Sequence, residues 1–401
     1  MSAVYLYDDA RARTFEPFAL TRPIGELRAG ALLVRERWAR ALGAPVSGHL
    51  TSSVLADFEE AGSAPVREGV AIPAGSWIAN ARFAPALGAA PRADLLHADG
   101  HVAAVRVDHD VPSDSLADGV LTLDSLSLQS GTPAQVDGWW MDGVWDYVRH
   151  LVPMLEADIP LLGASLRRGL PRGAIGVGDQ PVFVADGAVV EPSVCFDTTA
   201  GPILLCAGSR VLAFTRLVGP LYVGEHSILT TDRISASSIG DTCKVHGELS
   251  TTVMTGHSNK GHDGFVGHSM MGRWVNLGAG TITSNLKNTY GPVQLWTPDG
   301  LRDSGMQFLG TFFGDHAKAG IGTRLTTGCV LGAGANVFGS ELMPKVVPPF
   351  SWGETGDFET YRVDKFLESV ERMMARRDVT LGAGLRAQLE RAHERRWSAE
   401  S

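Results

Sequence analysis

The 401-residue chain is poor in several features that specialised protein classes need. Its four cysteines, Cys195, Cys206, Cys243 and Cys329, form no CxxC pair, so we expect free thiols in a reducing compartment. No apolar run reaches the length that spans a membrane. The first residues, MSAVYLYDDARAR, lack the basic, apolar and cleavage regions of a secretory signal. These absences disfavour disulfide-stapled, transmembrane and secreted classes, and we expect a cytoplasmic protein.

The chain also lacks an excess of positive charge. It has 35 Lys and Arg against 44 Asp and Glu, a net charge of −9, and no basic tract. Nucleic acids and anionic membranes attract proteins with basic surfaces, so we expect neither as a partner. The length and the 44% hydrophobic content suffice for two or three packed units.

Residues 1–160 have the pattern of an α/β domain. An apolar strand at Val4–Tyr7 ends in Asp8 and Asp9, and Pro160 follows the last apolar helix, which predicts a boundary near that position. The apolar spacing predicts further strands at 70–72, 76–79 and 102–105, and helices at 27–42 and 144–155.

Residues 161–350 have a different texture. Between 171 and 340 lie 28 of the 47 glycines, and aliphatic residues recur every six positions. The six-residue phase is carried by Phe313, Ala319, Leu325, Leu331 and Val337, and by Phe265, Met271 and Leu277. Such hexads are typical of a parallel β-helix with triangular coils. The phase lapses over 284–307, which predicts a projecting loop. Residues 351–401 read as two short helices, which could cap the open end.

The segment from His257 to Asn285 concentrates polar residues on coils whose neighbours are plain hexads. Three histidines, His257, His262 and His268, fall within twelve positions, and Lys260 lies among them. An imidazole can act as a general base near neutral pH. We predict a catalytic or binding site here; the alternative is a set of exposed or ladder-capping residues.

The stretch HDGFVG at 262–267, followed by VNLGAGTITSN at 275–285, resembles a known family. It is similar to the acetyltransferase half of the bifunctional N-acetylglucosamine-1-phosphate uridyltransferase/glucosamine-1-phosphate acetyltransferase family, in its alternate sugar-nucleotidyltransferase-like branch. The family motif is H-x-x-Y-V-G and then, fourteen residues after the His, N-[IL]-G-A-G-T-I-T-x-N. The resemblance implies a left-handed parallel β-helix, a homotrimer, acetyl-CoA as co-substrate, and sugar phosphates and nucleotides as substrates.

The resemblance also implies residue roles on the β-helix. His262 would be the base that deprotonates the sugar amine, and Asn276 and Asn285 would position the substrate. Ala279 would lie against acetyl-CoA, and backbone N–H groups near Gly278 and Ala279 would stabilise the oxyanion.

Two positions depart from the family motif. The family tyrosines are Phe265 and Leu286 in this chain, so the contacts to the sugar and its phosphate differ. Lys260 and Lys287 are the candidates to hold the phosphate instead.

The first domain resembles the same branch at FALTRPIGELRAG (18–30), VRERW (34–38) and WDYVR (145–149). The implied fold is a nucleotidyltransferase sheet with its site at the carboxyl ends of the strands. That chemistry needs a glycine-rich loop and basic residues around the phosphates, together with an Asp that holds Mg²⁺. No such loop is present here, and the basic or polar lining is predicted to come from Arg11, Arg13, Thr21, Arg22 and Arg28.

The metal ligand is also changed. Where the family has Asn-Gly-Asp, this chain has Asn80-Ala81-Arg82, so Arg82 replaces the metal-binding Asp. Asp8 and Asp9 at the end of the first strand are alternative Mg²⁺ ligands, unless they only cap a turn.

Two other functions remain open from the sequence. Trimeric β-helices include zinc carbonic anhydrases with three histidine ligands, and His257 and His262 resemble two of these, with His226 or His246 as the third. The other alternative is a non-catalytic trimerising scaffold with a sugar-nucleotide-binding domain.

The favoured architecture is a nucleotidyltransferase-like α/β domain at 1–160, a left-handed β-helix acyltransferase domain at 161–350 and helices at 351–401. The favoured function is acetylation of glucosamine 1-phosphate from acetyl-CoA. Uridylyl transfer from UTP, with Mg²⁺, would then yield UDP-N-acetylglucosamine.

Overall fold

The computed structural model describes residues 3–126 and 133–397. Its contacts divide the chain into two units: residues 1–144 with 363–396, called the head here, and residues 145–362 with 397. This division precedes the boundary expected near 160, and the C-terminal helices group with the head. The helices are α1 (Val34–Leu42), α2 (Leu123–Leu126), α3 (Asp146–Arg149), α4 (Leu151–Gly163), α5 (Val363–Ala375) and α6 (Ala383–Glu394). Among the described residues, no helix has the length and apolar character needed to cross a bilayer.

The head is built on short strands, most of which are buried. They are β1 (Val4–Tyr7), β2 (Arg28–Ala29), β3 (Leu32–Leu33), β4 (Val46–Leu50), β5 (Ala71–Ile72), β6 (Trp77–Asn80), β7 (Phe83–Pro85), β8 (Leu95–Ala98), β9 (His101–Arg106), β10 (Val111–Pro112), β11 (Pro133–Gln135) and β12 (Gly138–Trp140). The main sheet has the order β11–β8–β9–β6–β1–β4. The strand predictions at 70–72, 76–79 and 102–105 correspond to β5, β6 and β9.

The strand order places a crevice at β1. This strand pairs in parallel with β4 on one side and with β6 on the other, so the chain changes direction across the sheet there. Open sheets bind ligands at the carboxyl ends of strands at such a switch point. The crevice therefore lies where Asp8 and Asp9 follow β1 and where Ala81 and Arg82 follow β6.

The helix predicted over 27–42 begins only at Val34. Gly30, with φ of 60°, turns the chain between β2 and β3, and a left-handed residue cannot continue a helix. The helix then buries Arg37 and Trp38. It ends at Gly43, whose φ of 64° closes the C-terminus in the left-handed conformation.

Residues 167–360 form a parallel β-solenoid of nine coils within the continuously described range 133–397. Strand β13 (Arg167–Arg168) pairs antiparallel with the first coil. The coils, in order, contain β14 (Ile175–Val177), β15 (Val182–Val184), β16 (Val189–Val190); β17 (Cys195–Asp197), β18 (Ile203–Leu205), β19 (Arg210–Val211); β20 (Thr215–Val218), β21 (Leu221–Val223), β22 (Ile228–Leu229); β23 (Asp232–Ser235), β24 (Ser238–Asp241), β25 (Lys244–Val245); β26 (Leu249–Ser250), β27 (Val253–Gly256), β28 (Asn259–Lys260); β29 (Val266–Gly267), β30 (Met270–Arg273), β31 (Asn276–Leu277); β32 (Ile282–Thr283), the hairpin β33 (Gln294–Thr297) and β34 (Gly300–Asp303), β35 (Phe312–Phe313), β36 (Lys318–Ala319); β37 (Arg324–Leu325), β38 (Val330–Leu331), β39 (Asn336–Val337); β40 (Leu342–Met343), β41 (Val346–Val347), β42 (Ser351–Glu354) and then β43 (Asp357–Thr360).

The hexad residues fill the solenoid core. The residues spaced by six from Phe313 to Val337 are buried there, as are Met271 and Leu277. The prediction for Phe265 was wrong: Val266 points inward in its place and Phe265 is half-buried. Coil length explains the shift, because Leu249 pairs with Val266 seventeen residues on, not the eighteen of a strict hexad triplet.

The lapse over 284–307 is an insertion that contains the hairpin β33–β34. At the last coil, β42 pairs antiparallel with β43, so a hairpin extends the sheet where helices were expected. Helix α6 instead contacts the Ser53–Leu55 turn of the head.

Candidate active sites

The head has a cleft of about 420 Å³ at the carboxyl ends of β1 and β6. Asp9 and Arg11 line it from the loop after β1, and Asn80 and Arg82 from the end of β6. Trp140 closes one side. The cleft thus combines an aromatic ring with charged groups at the switch point of the sheet.

An ion pair between Asp9 and Arg82 spans the crevice. Arg82 Nε donates to both Asp9 oxygens at 2.9 and 3.0 Å, and Nη2 donates to Oδ2 at 2.8 Å. Asn80 Nδ2 and the Ala12 N–H also donate to this carboxylate. Burial raises the pKa of Asp9, but the bonds and charge of Arg82 with the other donors outweigh it and hold that pKa below its usual range.

Trp140 packs against the same guanidinium. The Arg82 Cζ lies 5.3 Å from the Trp140 ring centroid, within cation–π range. The ring also contacts Phe83 at 5.0 Å, and its Nε1 donates to the Ala98 carbonyl. His101 meets it edge-on at 5.9 Å. Trp140 therefore has a fixed place in the cleft, which the sequence prediction missed.

Most of the predicted basic lining lies elsewhere. Arg13 donates to the carbonyls of Asp8, Leu116 and Ala117. Arg22 is 2% exposed and pairs with Glu60. These two arginines support the loop after β1 rather than line the cleft.

The other two predicted residues are also buried. The Thr21 hydroxyl contacts the Phe18 carbonyl, and Arg28 donates to the Ala31 carbonyl. Arg13, Thr21, Arg22 and Arg28 are thus bonded within the protein, and of the five predicted residues only Arg11 lines the cleft. Their role toward a substrate stays a prediction.

The loop after β1 is also not a phosphate cradle. The N–H of Ala10 donates to the Gly119 carbonyl, that of Ala12 to the Asp9 carboxylate, and that of Arg13 to the Asp9 carbonyl. A phosphate loop works through N–H groups that point at the ligand. Here those N–H groups are already bonded within the protein.

The crevice does not fit Mg²⁺. Both oxygens of Asp9 accept from protein donors, chiefly Arg82. Asp8 is buried, and its Oδ2 accepts from Thr51 Oγ1 at 2.6 Å. Its other oxygen, Oδ1, has no hydrogen-bond partner. Burial raises the pKa of Asp8 to about 6. A hard divalent cation needs several free oxygen ligands, and the described residues include no group of three ligand side chains. As they stand, Asp8 and Asp9 therefore do not offer the ligand set that Mg²⁺ needs.

In the solenoid, His262 lies at the corner between β28 and β29. Its side chain is exposed. The neighbouring Asp263 is hydrogen-bonded to His246 Nε2 at 2.9 Å, and His246 Nδ1 contacts Thr230 Oγ1. One coil further on, the Gly280 N–H donates to the Asp263 carbonyl. This stack fixes the backbone around His262 and leaves the imidazole itself in solvent.

Lys260 has an internal role at this corner. It is 2% exposed, and its Nζ donates to the carbonyls of His246 and His262 at 2.6 and 2.8 Å. Burial lowers the pKa of Lys260 to about 8. Its ammonium is directed into the turn, and its predicted role toward a phosphate stays a prediction. Lys260 positions the His262 loop.

The glycine-rich motif stacks on the same corner. Asn276 is exposed on β31, and its Oδ1 accepts from Asn259 Nδ2 at 3.2 Å. Ala279 is exposed, and its carbonyl accepts from the Gly322 N–H. The Gly278 N–H donates to the Ala319 carbonyl at 2.8 Å. Gly278 therefore cannot donate to an oxyanion, contrary to expectation, since the coil ladder uses its N–H.

Asn285 and its neighbours lie on the adjoining face. Asn285 Nδ2 is 2.9 Å from His268 Nδ1, and the His268 ring stacks on Phe308 at 5.3 Å. A Cβ on Gly267 would lie 2.3 Å from the Phe265 ring and 2.9 Å from Asn285. The structure thus brings together two predicted residues, Phe265 and Asn285, with Phe308, which directly follows the insertion. No hexad signal pointed to Phe308.

The remaining predicted phosphate ligand, Lys287, lies in the insertion. Its Nζ donates to the Pro292 carbonyl at 2.6 Å, which holds the turn around Tyr290. Its side chain is half-buried, and its role toward a ligand stays a prediction.

The zinc alternative gains no support within this chain. His257 lies at the corner between β27 and β28, where it packs against Trp274 at 4.4 Å, whereas His262 is at the following corner. His246 has both ring nitrogens in contacts with protein groups. Among the residues described, no His, Cys, Asp and Glu side chains group as a metal site.

Comparison with known proteins agrees with this architecture. Residues 4–166 match the sugar nucleotidyl transferase family. The bifunctional protein GlmU of Synechococcus elongatus is 25% identical over 167 residues, 41% of this chain and 28% of the relative. A bifunctional sugar-1-phosphate nucleotidylyltransferase/acetyltransferase of Sulfurisphaera tokodaii is 32% identical over 91 residues, 23% of each chain. The chain thus spans about a quarter of these curated relatives.

Among solved structures, an N-acyltransferase, AntD, from Bacillus cereus in complex with dTDP and coenzyme A is 13% identical. The likeness covers 51% of this chain and 91% of that one. The TM-score is 0.22, which is too low to support a functional conclusion. Residues 4–166 are thus similar to sugar nucleotidyl transferases, and the sequence relatives are GlmU-like bifunctional nucleotidyltransferase/acetyltransferases.

Proposed function

We propose that the solenoid transfers an acetyl group from acetyl-CoA to the amine of a phosphorylated amino sugar, with glucosamine 1-phosphate as the first candidate. The observation that carries this proposal is the exposed His262, at a corner whose backbone is fixed on both sides. Asn276 and Ala279 are exposed on the next coil. An exposed imidazole suits a base that acts on a bound amine.

His262 would accept the proton that the amine loses as it attacks the thioester carbonyl. The N–C bond forms, the C–S bond breaks, and the proton passes to the coenzyme A thiolate that leaves. Asn276 would orient the acceptor, and Phe265 with Asn285 would bound the sugar on the adjoining face. Oxyanion stabilisation would have to come from a donor other than the Gly278 N–H.

The test is thiol release from acetyl-CoA in the presence of glucosamine 1-phosphate. Removing a general base typically costs on the order of 10²–10⁴ in rate, so His262→Ala should lower release by that factor. His226→Asn is the matched control: His226 is an exposed corner histidine with φ of 58°, a conformation that Asn tolerates. A folded His262→Ala protein with wild-type release would refute the assignment.

Zinc is assayed on the same preparation. Stoichiometric zinc without thiol release would favour the carbonic anhydrase-like alternative. The absence of both zinc and thiol release would favour the scaffold. Light scattering tests the homotrimer that the resemblance implies.

Uridylyl transfer from UTP to N-acetylglucosamine 1-phosphate is the second candidate function, at the head. The cleft at the switch point of the sheet and the family match over 4–166 favour it. Together the two steps would yield UDP-N-acetylglucosamine. Pyrophosphate release with these substrates tests it, and a protein that binds UTP without releasing pyrophosphate would reduce the head to a binding domain.

A further inference from the structure

Two arginines converge on one oxygen in the head cleft. Arg11 Nη1 lies 3.3 Å from Asp142 Oδ1, and Arg82 Nη1 lies 3.4 Å from the same atom. The Asp142 side chain is 64% exposed and that of Arg11 is 56% exposed. A carboxylate oxygen is therefore held between two guanidinium groups at the mouth of the cleft.

These contacts are long and largely exposed, so they contribute little free energy. Solvent-exposed ion pairs are typically worth about 0–1 kcal/mol. A ligand oxyanion with more charge can therefore compete with Asp142 for these two guanidinium groups. Guanidinium groups suit phosphate, because their planar N–H pairs match its oxygens.

Arg82 is fixed before any ligand arrives. Its Nε and Nη2 are bonded to Asp9, its Nη1 also donates to the Met141 carbonyl at 3.1 Å, and Trp140 covers its face. The side chain is 13% exposed. A preorganised cation thus occupies the crevice where Asp8 and Asp9 offer no ligand set for a metal.

We infer that Arg11 and Arg82 form an anion site that holds a phosphate group of a nucleotide ligand in place of Asp142, and that binding there needs no divalent cation. Arg82 supplies the positive charge at the position where the family that this chain resembles has a metal-binding carboxylate. The inference rests on nucleotide binding by the head, proposed above.

The experiment measures the dissociation constants of UTP and of UDP-N-acetylglucosamine by calorimetry on the full chain, in excess EDTA and in millimolar MgCl₂. For the wild type we expect binding in EDTA that MgCl₂ does not tighten. Arg11→Ala should weaken binding about tenfold to a hundredfold, the usual value of a hydrogen bond to a charged group. Asp142→Asn should tighten it by up to about fivefold, since the competing charge is lost.

Arg106→Ala is the control, because Arg106 is 44% exposed and pairs with Asp94 outside the cleft. Both test positions are exposed, so these variants should fold, and circular dichroism checks this. Binding that requires MgCl₂, or wild-type affinity in both Arg11→Ala and Asp142→Asn, overturns the inference while leaving nucleotide binding intact. No binding of either nucleotide in any condition overturns the head's proposed role as well, whereas acetyl transfer is measured separately.

Discussion

The head cleft and the solenoid corner were both predicted from short polar segments, and the structure places several of their polar side chains differently. In the head, Arg13, Arg22 and Arg28 are bonded to protein groups near them. In the solenoid, His262 and Asn276 are exposed at adjacent coils. Polar residues of an irregular loop are therefore poor guides to exposed groups, because the backbone of that loop uses their donors.

The reason is where the backbone hydrogen bonds go. Each solenoid coil bonds to its neighbouring coils, so most of its strand peptide groups pair with other peptide groups. The head has a long irregular stretch between β1 and α1, and buried carbonyls must find donors. Arg13 donates to the Asp8 carbonyl, Arg28 to that of Ala31 and Arg37 to that of Ala29.

The largest effect on stability is expected in that stretch. Glu26 is 1% exposed and accepts from His49 Nε2 and Arg35 Nε, both at 2.8 Å. Glu26→Gln would leave buried positive charge without its partner, which typically costs about 3–5 kcal/mol. Urea denaturation of the full chain measures the loss. Exposed Glu359→Gln is the control, and equal midpoints for both variants would contradict this account.

The same residue gives a pH dependence. Burial raises the pKa of Glu26, but His49, Arg35 and Arg22 outweigh it and lower that pKa to about 2. Because the folded-state pKa is below the unfolded one, the contribution is complete above about pH 4.5 and is lost as the pH falls toward 2. Glu26→Gln should lack this slope.

A smaller effect is expected at the solenoid corner. Lys260→Met keeps the aliphatic stem but leaves the carbonyls of His246 and His262 without their ammonium donor. We expect a loss of about 1–3 kcal/mol in stability, and a lower kcat of acetyl transfer because the His262 loop is no longer held. Lys244→Met is the matched control: Lys244 is exposed on the preceding coil and pairs in register with Asn259. An unchanged kcat in Lys260→Met would show that the His262 loop keeps its conformation without the Lys260 ammonium.

The smallest effect concerns Asp8. Burial raises the pKa of Asp8 to about 6, so the folded protein binds this proton more tightly than the unfolded chain. Its contribution is therefore complete below about pH 4 and is lost as the pH rises through 6. Asp8→Asn should flatten the pH dependence of stability between pH 4 and 6 relative to wild type. A slope of the opposite sign would indicate that Asp8 is a paired carboxylate.

The sequence by itself determined the architecture. The hexads from Phe313 to Val337 and the strand at Val4–Tyr7 predicted a solenoid and an α/β domain, because burial of one face imposes a period on the order of apolar residues. It also located the segment around His262, where polar residues interrupt that period. Coil length was not visible, so Phe265 was assigned to the core.

Only the tertiary structure decided which polar groups are free. Arg82 and Asp9 are 73 positions apart, and their bond removes the expected metal ligand. Lys260 and Gly278 lie within the right motif, yet carbonyls of neighbouring turns and coils take their N–H groups. A side chain's availability depends on what the chain brings beside it from distant positions, and local sequence does not contain that partner.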